Sequence, residues 1–69
     1  MDIRRQVGLT VCHLRQKKGW SQEDLAFECG LHRTYISGIE RGVRNPTVMV
    51  LARLAGALNV KASRLLEKP

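Results

Sequence analysis

The sequence contains few aromatic residues and no long apolar run. One Trp, one Tyr and one Phe among 69 residues leave the core to aliphatic side chains. No stretch approaches the roughly 18 uninterrupted apolar residues of a membrane-spanning helix, and the N-terminus lacks the apolar stretch of a signal peptide. We expect a chain of this length to build one modest core without a further catalytic or effector-binding domain. We therefore expect a single domain over residues 1–69, located in the cytoplasm and not in a membrane.

Residues for metal binding and catalysis are also scarce. Cys12 and Cys29 lack the C-x-x-C spacing of zinc and redox motifs, so packed, reduced thiols are expected. No nucleophile, carboxylate pair or glycine-rich phosphate loop accompanies His13 and His32. We expect no enzyme activity, no catalytic residue, no metal, no cofactor and no small-molecule ligand.

Acidic residues are outnumbered two to one. Six Asp and Glu against twelve Lys and Arg give a formal net charge of +6 on a short chain. Such an excess attracts polyanions, and nucleic acid is the first partner to consider. The composition thus favours a nucleic-acid-binding protein.

What the sequence does contain is helical periodicity, with signals for where helices begin and end. Residues 2–18 form a proline-free amphipathic segment that Gly19 closes. Ser21 with Asp24 is close to a capping box, which predicts a second helix from Gln22 to just before Gly30.

Three further helices follow in the same way. The third is expected to be capped at His32 and closed by Gly42, and the fourth to run from a cap at Thr47 to about Asn59. A shorter fifth helix is expected at about 61–67. The prediction is an all-α, compact five-helix domain.

The segment from about residue 21 to residue 41 has the steric pattern of a helix-turn-helix. Ala26 gives the small side chain needed where two helices approach closely, and Gly30 permits the bend between them. Leu25, Ile36 and Ile39 supply apolar positions facing the core. We predict a helix-turn-helix over about 21–41.

These residues also carry a family resemblance. The runs 21–26, 30–42 and 44–46 resemble the Cro and phage-repressor (XRE-type) helix-turn-helix family, and 31–42 followed by Arg44 and Asn45 is most similar to restriction-modification controller proteins. The resemblance implies a sequence-specific, double-stranded DNA-binding transcriptional regulator. A controller acting on its own promoter, a phage-type repressor and an antitoxin autoregulator all remain open. A protein-binding module that has lost DNA affinity is the alternative from another class.

The same resemblance assigns roles to individual residues. The third helix is expected to enter the major groove, with Arg33, Thr34 and Ser37 facing base edges. Gly38 is expected on that exposed face, where its missing side chain lets the helix approach DNA closely. The expected phosphate contacts are Gln22, Tyr35, Arg41, Arg44 and Asn45, with base reading left open for Arg44.

One ion pair is implied by the family and not by the spacing. Glu40 lies in the last turn of the third helix, where a carboxylate opposes the helix dipole and faces incoming phosphates. The family pairs this glutamate with an arginine of the first helix, which corresponds to Arg15 here. We expect the Arg15–Glu40 pair to be structural.

The C-terminal third has more apolar residues than a small core requires. Val60, Leu65 and Leu66 crowd a short last helix, and Met49 lies off the main apolar face of the fourth. We expect these residues to include a homodimer interface, with Val60, Leu65 and Leu66 at its centre. A two-fold dimer would bind a palindromic operator.

Overall fold

A computed structural model describes residues 2–68, and all of its regular elements are helical. The four α-helices are α1 (Ile3–Lys17), α2 (Gln22–Cys29), α3 (Arg33–Glu40) and α4 (Val48–Leu58). A 3₁₀-helix, Ala62–Leu66, follows α4. The all-α prediction is confirmed, and the fifth helix differs only in its tighter winding, which is common in segments this short.

The helices begin at side chains that accept hydrogen bonds from free backbone N–H groups. At α2, Ser21 Oγ accepts from the Asp24 N–H at 3.0 Å, and Asp24 Oδ2 accepts from the Ser21 N–H at 2.8 Å. His32 Nδ1 caps α3 by accepting from the Thr34 N–H, and Thr47 caps α4. The start positions predicted for α2, α3 and α4 are therefore confirmed.

Each α-helix is followed by a residue in the left-handed conformation. After α3 this is Gly42, at φ 77°. The Gly42 N–H donates to the Ile39 carbonyl, and the Val43 N–H donates to the Gly38 carbonyl, both at 3.0 Å. This Schellman arrangement satisfies the last carbonyls of α3 and turns the chain back over the helix that it has just left.

One cluster of aliphatic side chains forms the core. It takes residues from every helix, and its largest fully buried members are Leu25, Ile36, Ile39, Leu54 and Leu65. The 3₁₀-helix is also tied to α1 by polar contacts, since Gln6 Nε2 donates to the Leu66 carbonyl at 2.6 Å. The buried Thr10 hydroxyl donates to the Glu67 carbonyl at 3.3 Å. The C-terminal segment is thus part of the monomer's core.

This packing corrects one sequence-based assignment. Leu65, expected at a dimer interface, is 0% exposed within a single chain. The 3₁₀ winding directs it inward against α1 and α4, so it cannot contact a partner. Of the other two predicted interface residues, Val60 is half-buried and packs on the core, whereas Leu66 is 49% exposed.

The crossing of α1 and α3 depends on Gly8. An added Cβ at this position would overlap the Ile39 carbonyl oxygen and would lie 2.7 Å from the Glu40 carbonyl oxygen. Both atoms belong to the helix backbone and cannot rotate away. Gly8 therefore sets how closely α3 lies against α1.

Beside this crossing, Arg15 joins three parts of the fold. Its Nε and Nη2 donate to the two carboxylate oxygens of Glu40 at 2.7 and 3.1 Å. Its Nη1 donates to the Trp20 carbonyl at 2.7 Å, between α1 and α2. Gln22 Nε2 donates to Glu40 Oε1 at 3.0 Å. The pair is 12% and 6% exposed, and the hydrogen bonds to Glu40 raise the pKa of Arg15.

Replacing Gly8 by Ala is expected to destabilise the protein by about 1–3 kcal/mol, since the methyl group would overpack the α1–α3 crossing. Gly56→Ala is the matched control, because Gly56 also lies within a helix and has open space around its Cα. It should gain roughly 0.5–1 kcal/mol from helix propensity. Urea unfolding measures both; a Gly8→Ala protein as stable as the control would contradict this account.

Arg15→Met and Glu40→Leu should show strong coupling in the free energy of unfolding. Removing one partner leaves a largely buried charge, at a cost of about 3 kcal/mol, while removing both leaves none. A double-mutant cycle should give a coupling well above the roughly 1 kcal/mol ceiling of exposed pairs. The exposed Asp2–Arg4 pair is the control and should couple more weakly. Additive Arg15 and Glu40 substitutions would refute a structural role for the pair.

Candidate nucleic-acid interface

The three residues expected to read bases lie along α3. Arg33 and Thr34 form its exposed N-terminal turn, and Ser37 follows one turn later, half-buried. The helix turns its opposite side, with Ile36 and Ile39, into the core. The structure therefore brings the predicted base-reading residues together at one end of an exposed helical face.

His32 orders Thr34, the second of these residues, from the side. Its Nδ1 lies 3.2 Å from the backbone nitrogen of Thr34 and 2.8 Å from the Thr34 hydroxyl. The cap of the helix and the Thr34 side chain are thus held by one imidazole nitrogen. The orientation of Thr34 is set before any ligand arrives.

Arg33 has an acidic neighbour that the sequence analysis missed. Its Nη1 lies 3.8 Å from Glu23 Oε1, on the first turn of α2. The two side chains are 65% and 71% exposed, so the pair contributes little to stability. Glu23 lies in the first turn of α2, where a carboxylate interacts favourably with the helix dipole, and the local sequence shows this. Its closeness to Arg33 depends on how the two helices cross.

Arg44 packs along the side of α3, where its stem lies against Gly38 and its guanidinium lies over the Tyr35 ring. The Arg44 guanidinium carbon lies 5.4 Å from the centre of the Tyr35 ring, a cation–π distance. The Arg44 stem covers Gly38, since a Cβ added there would lie 2.6 Å from Arg44 Cγ. The expectation that Gly38 is exposed is therefore wrong: it is buried, because the Schellman turn returns Arg44 over it.

The remaining phosphate candidates occupy different surroundings. Gln22 belongs to the Arg15–Glu40 cluster through its side-chain nitrogen, a contact that sequence reasoning missed. Arg41 follows α3 directly and is exposed. Asn45 is exposed in the loop before α4, beside a small apolar hollow lined in part by Ile3 and Leu66.

Over residues 2–68 there is no group of three His, Cys, Asp or Glu placed to hold a metal ion. Cys12 and Cys29 are free, and burial raises the pKa of both thiols, which keeps them protonated and weakly nucleophilic. Among the described helices, none has the length and apolar character to cross a membrane.

Curated proteins similar to this chain are transcriptional regulators and controllers. The control protein C.BamHI of Bacillus amyloliquefaciens is 48% identical over 67 residues, which cover 96% of this chain and 83% of that protein.

Solved structures agree with that relationship. A hypothetical transcription factor, NHTF, from Neisseria superimposes with a TM-score of 0.94 at 43% identity, covering 99% of this chain and 78% of that one. SinR, a master regulator for biofilm formation solved in complex with DNA, gives a TM-score of 0.84 at 32% identity, covering 88% and 98%.

The family assignment follows from these matches together with the geometry above. The family model described as helix-turn-helix matches residues 13–65, which include α2, α3 and their connecting turn. The resemblance read from the sequence is therefore confirmed. The chain belongs to the helix-turn-helix family of DNA-binding transcriptional regulators that includes restriction-modification controller proteins.

Proposed function

We propose that this helix-turn-helix regulator reads double-stranded DNA with α3 in the major groove. One observation carries the proposal: α3 begins with the exposed Arg33 and is followed by the exposed Arg41 and Arg44, while its other face is fixed in the core. Arg33 can pair with O6 and N7 of a guanine, and Thr34 and Ser37 can contact neighbouring bases. The DNA complex of SinR supports this use of the fold.

The phosphate contacts are proposed for residues on both sides of α3. Arg41, Arg44 and Asn45 come from its C-terminal end and the following loop, and Tyr35 from its flank. At the N-terminus of α2, the free backbone N–H groups favour an anion. The Gln22 amide keeps its second N–H for a phosphate while the first holds Glu40.

The finer biological role proposed is that of a restriction-modification controller acting on its own promoter in the cytoplasm. The similarity to C.BamHI over almost the whole chain favours it. A phage-type repressor or an antitoxin would act through the same surface but on other operators. Binding to the duplex upstream of the protein's own gene tests whether it regulates its own promoter. No binding there would contradict that role.

We further propose that the protein binds a palindromic operator as a homodimer. Exposed apolar side chains remain at the C-terminal part of the fold, where Val48 is 81%, Met49 69% and Leu66 49% exposed. With Leu65 in the core, the proposed interface consists of these side chains and the half-buried Val60. Two-fold pairing would put recognition helices about 34 Å apart, one turn of DNA.

Binding should weaken steeply with salt if Arg41 and Arg44 neutralise phosphates. The slope of log K against log salt should be about −0.9 for each phosphate contacted. Arg41→Ala should reduce the steepness of that slope and weaken binding to all duplexes alike. Fluorescence anisotropy from low to high salt measures it. A flat response, or no binding to any duplex at low salt, would favour a module that has lost DNA affinity.

Arg33→Ala should remove base preference and not merely affinity. Loss of a bidentate guanine contact should cost about 1–3 kcal/mol on the selected site and relax preference at one base pair of each half-site. Selection from a random duplex pool measures this for both proteins. Glu23→Gln is the comparison, since it frees Arg33 without removing it and should leave the preference intact. An unchanged selected sequence for Arg33→Ala would show that Arg33 does not read bases.

Leu66→Asp and Met49→Asp should reduce the molecular mass to that of a monomer while the fold is kept. A buried carboxylate without a partner opposes association strongly. Phe27→Asp is the matched control, because Phe27 is 83% exposed but lies on α2. Sedimentation equilibrium with parallel circular dichroism measures mass and folding. A native chain that is monomeric at high micromolar concentration, free and on DNA, would contradict the dimer.

A further inference from the structure

Gly38 lies on the side of α3 away from the core, and the space left by its missing side chain is a seat for Arg44. The three atoms nearest to a Cβ built there are Cγ, Nε and Cδ of Arg44, at 2.6, 3.3 and 3.5 Å. No backbone atom is among them. A side chain at position 38 would therefore displace the Arg44 side chain, beginning at its Cγ.

The turn after α3 fixes the start of the Arg44 side chain. The Val43 N–H donates to the Gly38 carbonyl at 3.0 Å, so the residue that follows Val43 leaves the turn directly above Gly38. From there the stem crosses the helix, and the guanidinium reaches the Tyr35 ring 5.4 Å away. The stem of Arg44 thus lies against Gly38, and its charged group lies over Tyr35.

This support matters because arginine is flexible. Immobilising such a side chain on binding costs free energy, and a seat formed in advance reduces that cost. A charge presented in a fixed position can also favour one register of the protein on the duplex. A glycine inside a helix has the opposite effect on stability, because it weakens the helix relative to alanine.

We propose that Gly38 is a positioning residue for DNA binding: its missing side chain lets Arg44 lie across α3 on Tyr35, in place before DNA arrives. The inference rests on the proposed DNA-binding function. Gly38 makes no contact of its own with DNA in this proposal. The helix stability lost by having a glycine here is offset by the fixed position of Arg44.

Gly38→Ala should therefore lower affinity by displacing the Arg44 stem. Urea unfolding should show a smaller loss of stability than for Gly8→Ala, because the added Cβ meets a side chain at position 38 and backbone oxygens at position 8. Affinity for a selected duplex should fall roughly three- to tenfold, the cost of immobilising one flexible side chain. The control is Gly56→Ala, at an exposed glycine of α4 with open space around it, which should stabilise the protein and leave affinity unchanged.

The double variant identifies the route of the effect. In an Arg44→Ala background, Gly38→Ala should cause no further loss of affinity, because nothing remains to be displaced. An equal loss in both backgrounds would show that the methyl group obstructs DNA directly, and would overturn the proposal. Native affinity in Gly38→Ala would overturn it as well.

A measurement without DNA separates this proposal from the proposed function. In the native protein, the Tyr35 ring should shift the NMR signals of the Arg44 side-chain protons upfield. That shift should vanish in Gly38→Ala and in Tyr35→Leu, and persist in Gly56→Ala. An unchanged Arg44 signal in Gly38→Ala would refute the seat even where DNA binding is intact. If Gly38→Ala fails to fold, Tyr35→Leu tests the same placement and should lose affinity non-additively with Arg44→Ala.

Discussion

The placement of α3 depends on the contact between Arg15 and Glu40. An eight-residue helix has no stability of its own in water, so its direction is set by what it packs against. Ile36 and Ile39 supply the apolar side of that packing, and Gly8 permits the close approach to α1. The two-pronged ion pair then fixes the C-terminal end of α3 against α1, and through Trp20 and Gln22 against the start of α2.

The pair also neutralises the Glu40 carboxylate beside the proposed DNA surface. A carboxylate in the last turn of a helix opposes the helix dipole, and an uncompensated one would repel phosphates. Arg15 and Gln22 occupy the Glu40 oxygens with three hydrogen bonds, so the charge is neutralised inside the fold. Arg33, Arg41 and Arg44 then determine the sign of the exposed surface around α3.

The sequence predicted those features that depend on near neighbours. The capping box at Ser21, the cap at His32 and the left-handed residues Gly30 and Asn59 are local signals, and the helix ends followed from them. Family resemblance, and not spacing, suggested the contact between Arg15 and Glu40.

Features that depend on tertiary contacts were missed or wrongly predicted. Leu65 is buried because the 3₁₀-helix folds back on α1, which hydrophobic composition could not show. Gly38 is buried because a residue six positions later crosses it. The contacts of Glu23 with Arg33 and of Gln22 with Glu40 need the angle between two helices, which periodicity does not contain.

We propose that α3, held in position by the fold before DNA binds, forms the DNA-reading surface together with its flanking arginines. An NMR titration of the ¹⁵N-labelled chain with a duplex recovered by selection tests it most directly. The account predicts that the largest amide shifts fall on residues 32–38 and 41–45 and on the first turn of α2, with small changes at Leu54 and Leu65 in the core. Shifts concentrated on α4 and the 3₁₀-helix, with α3 unaffected, would contradict it.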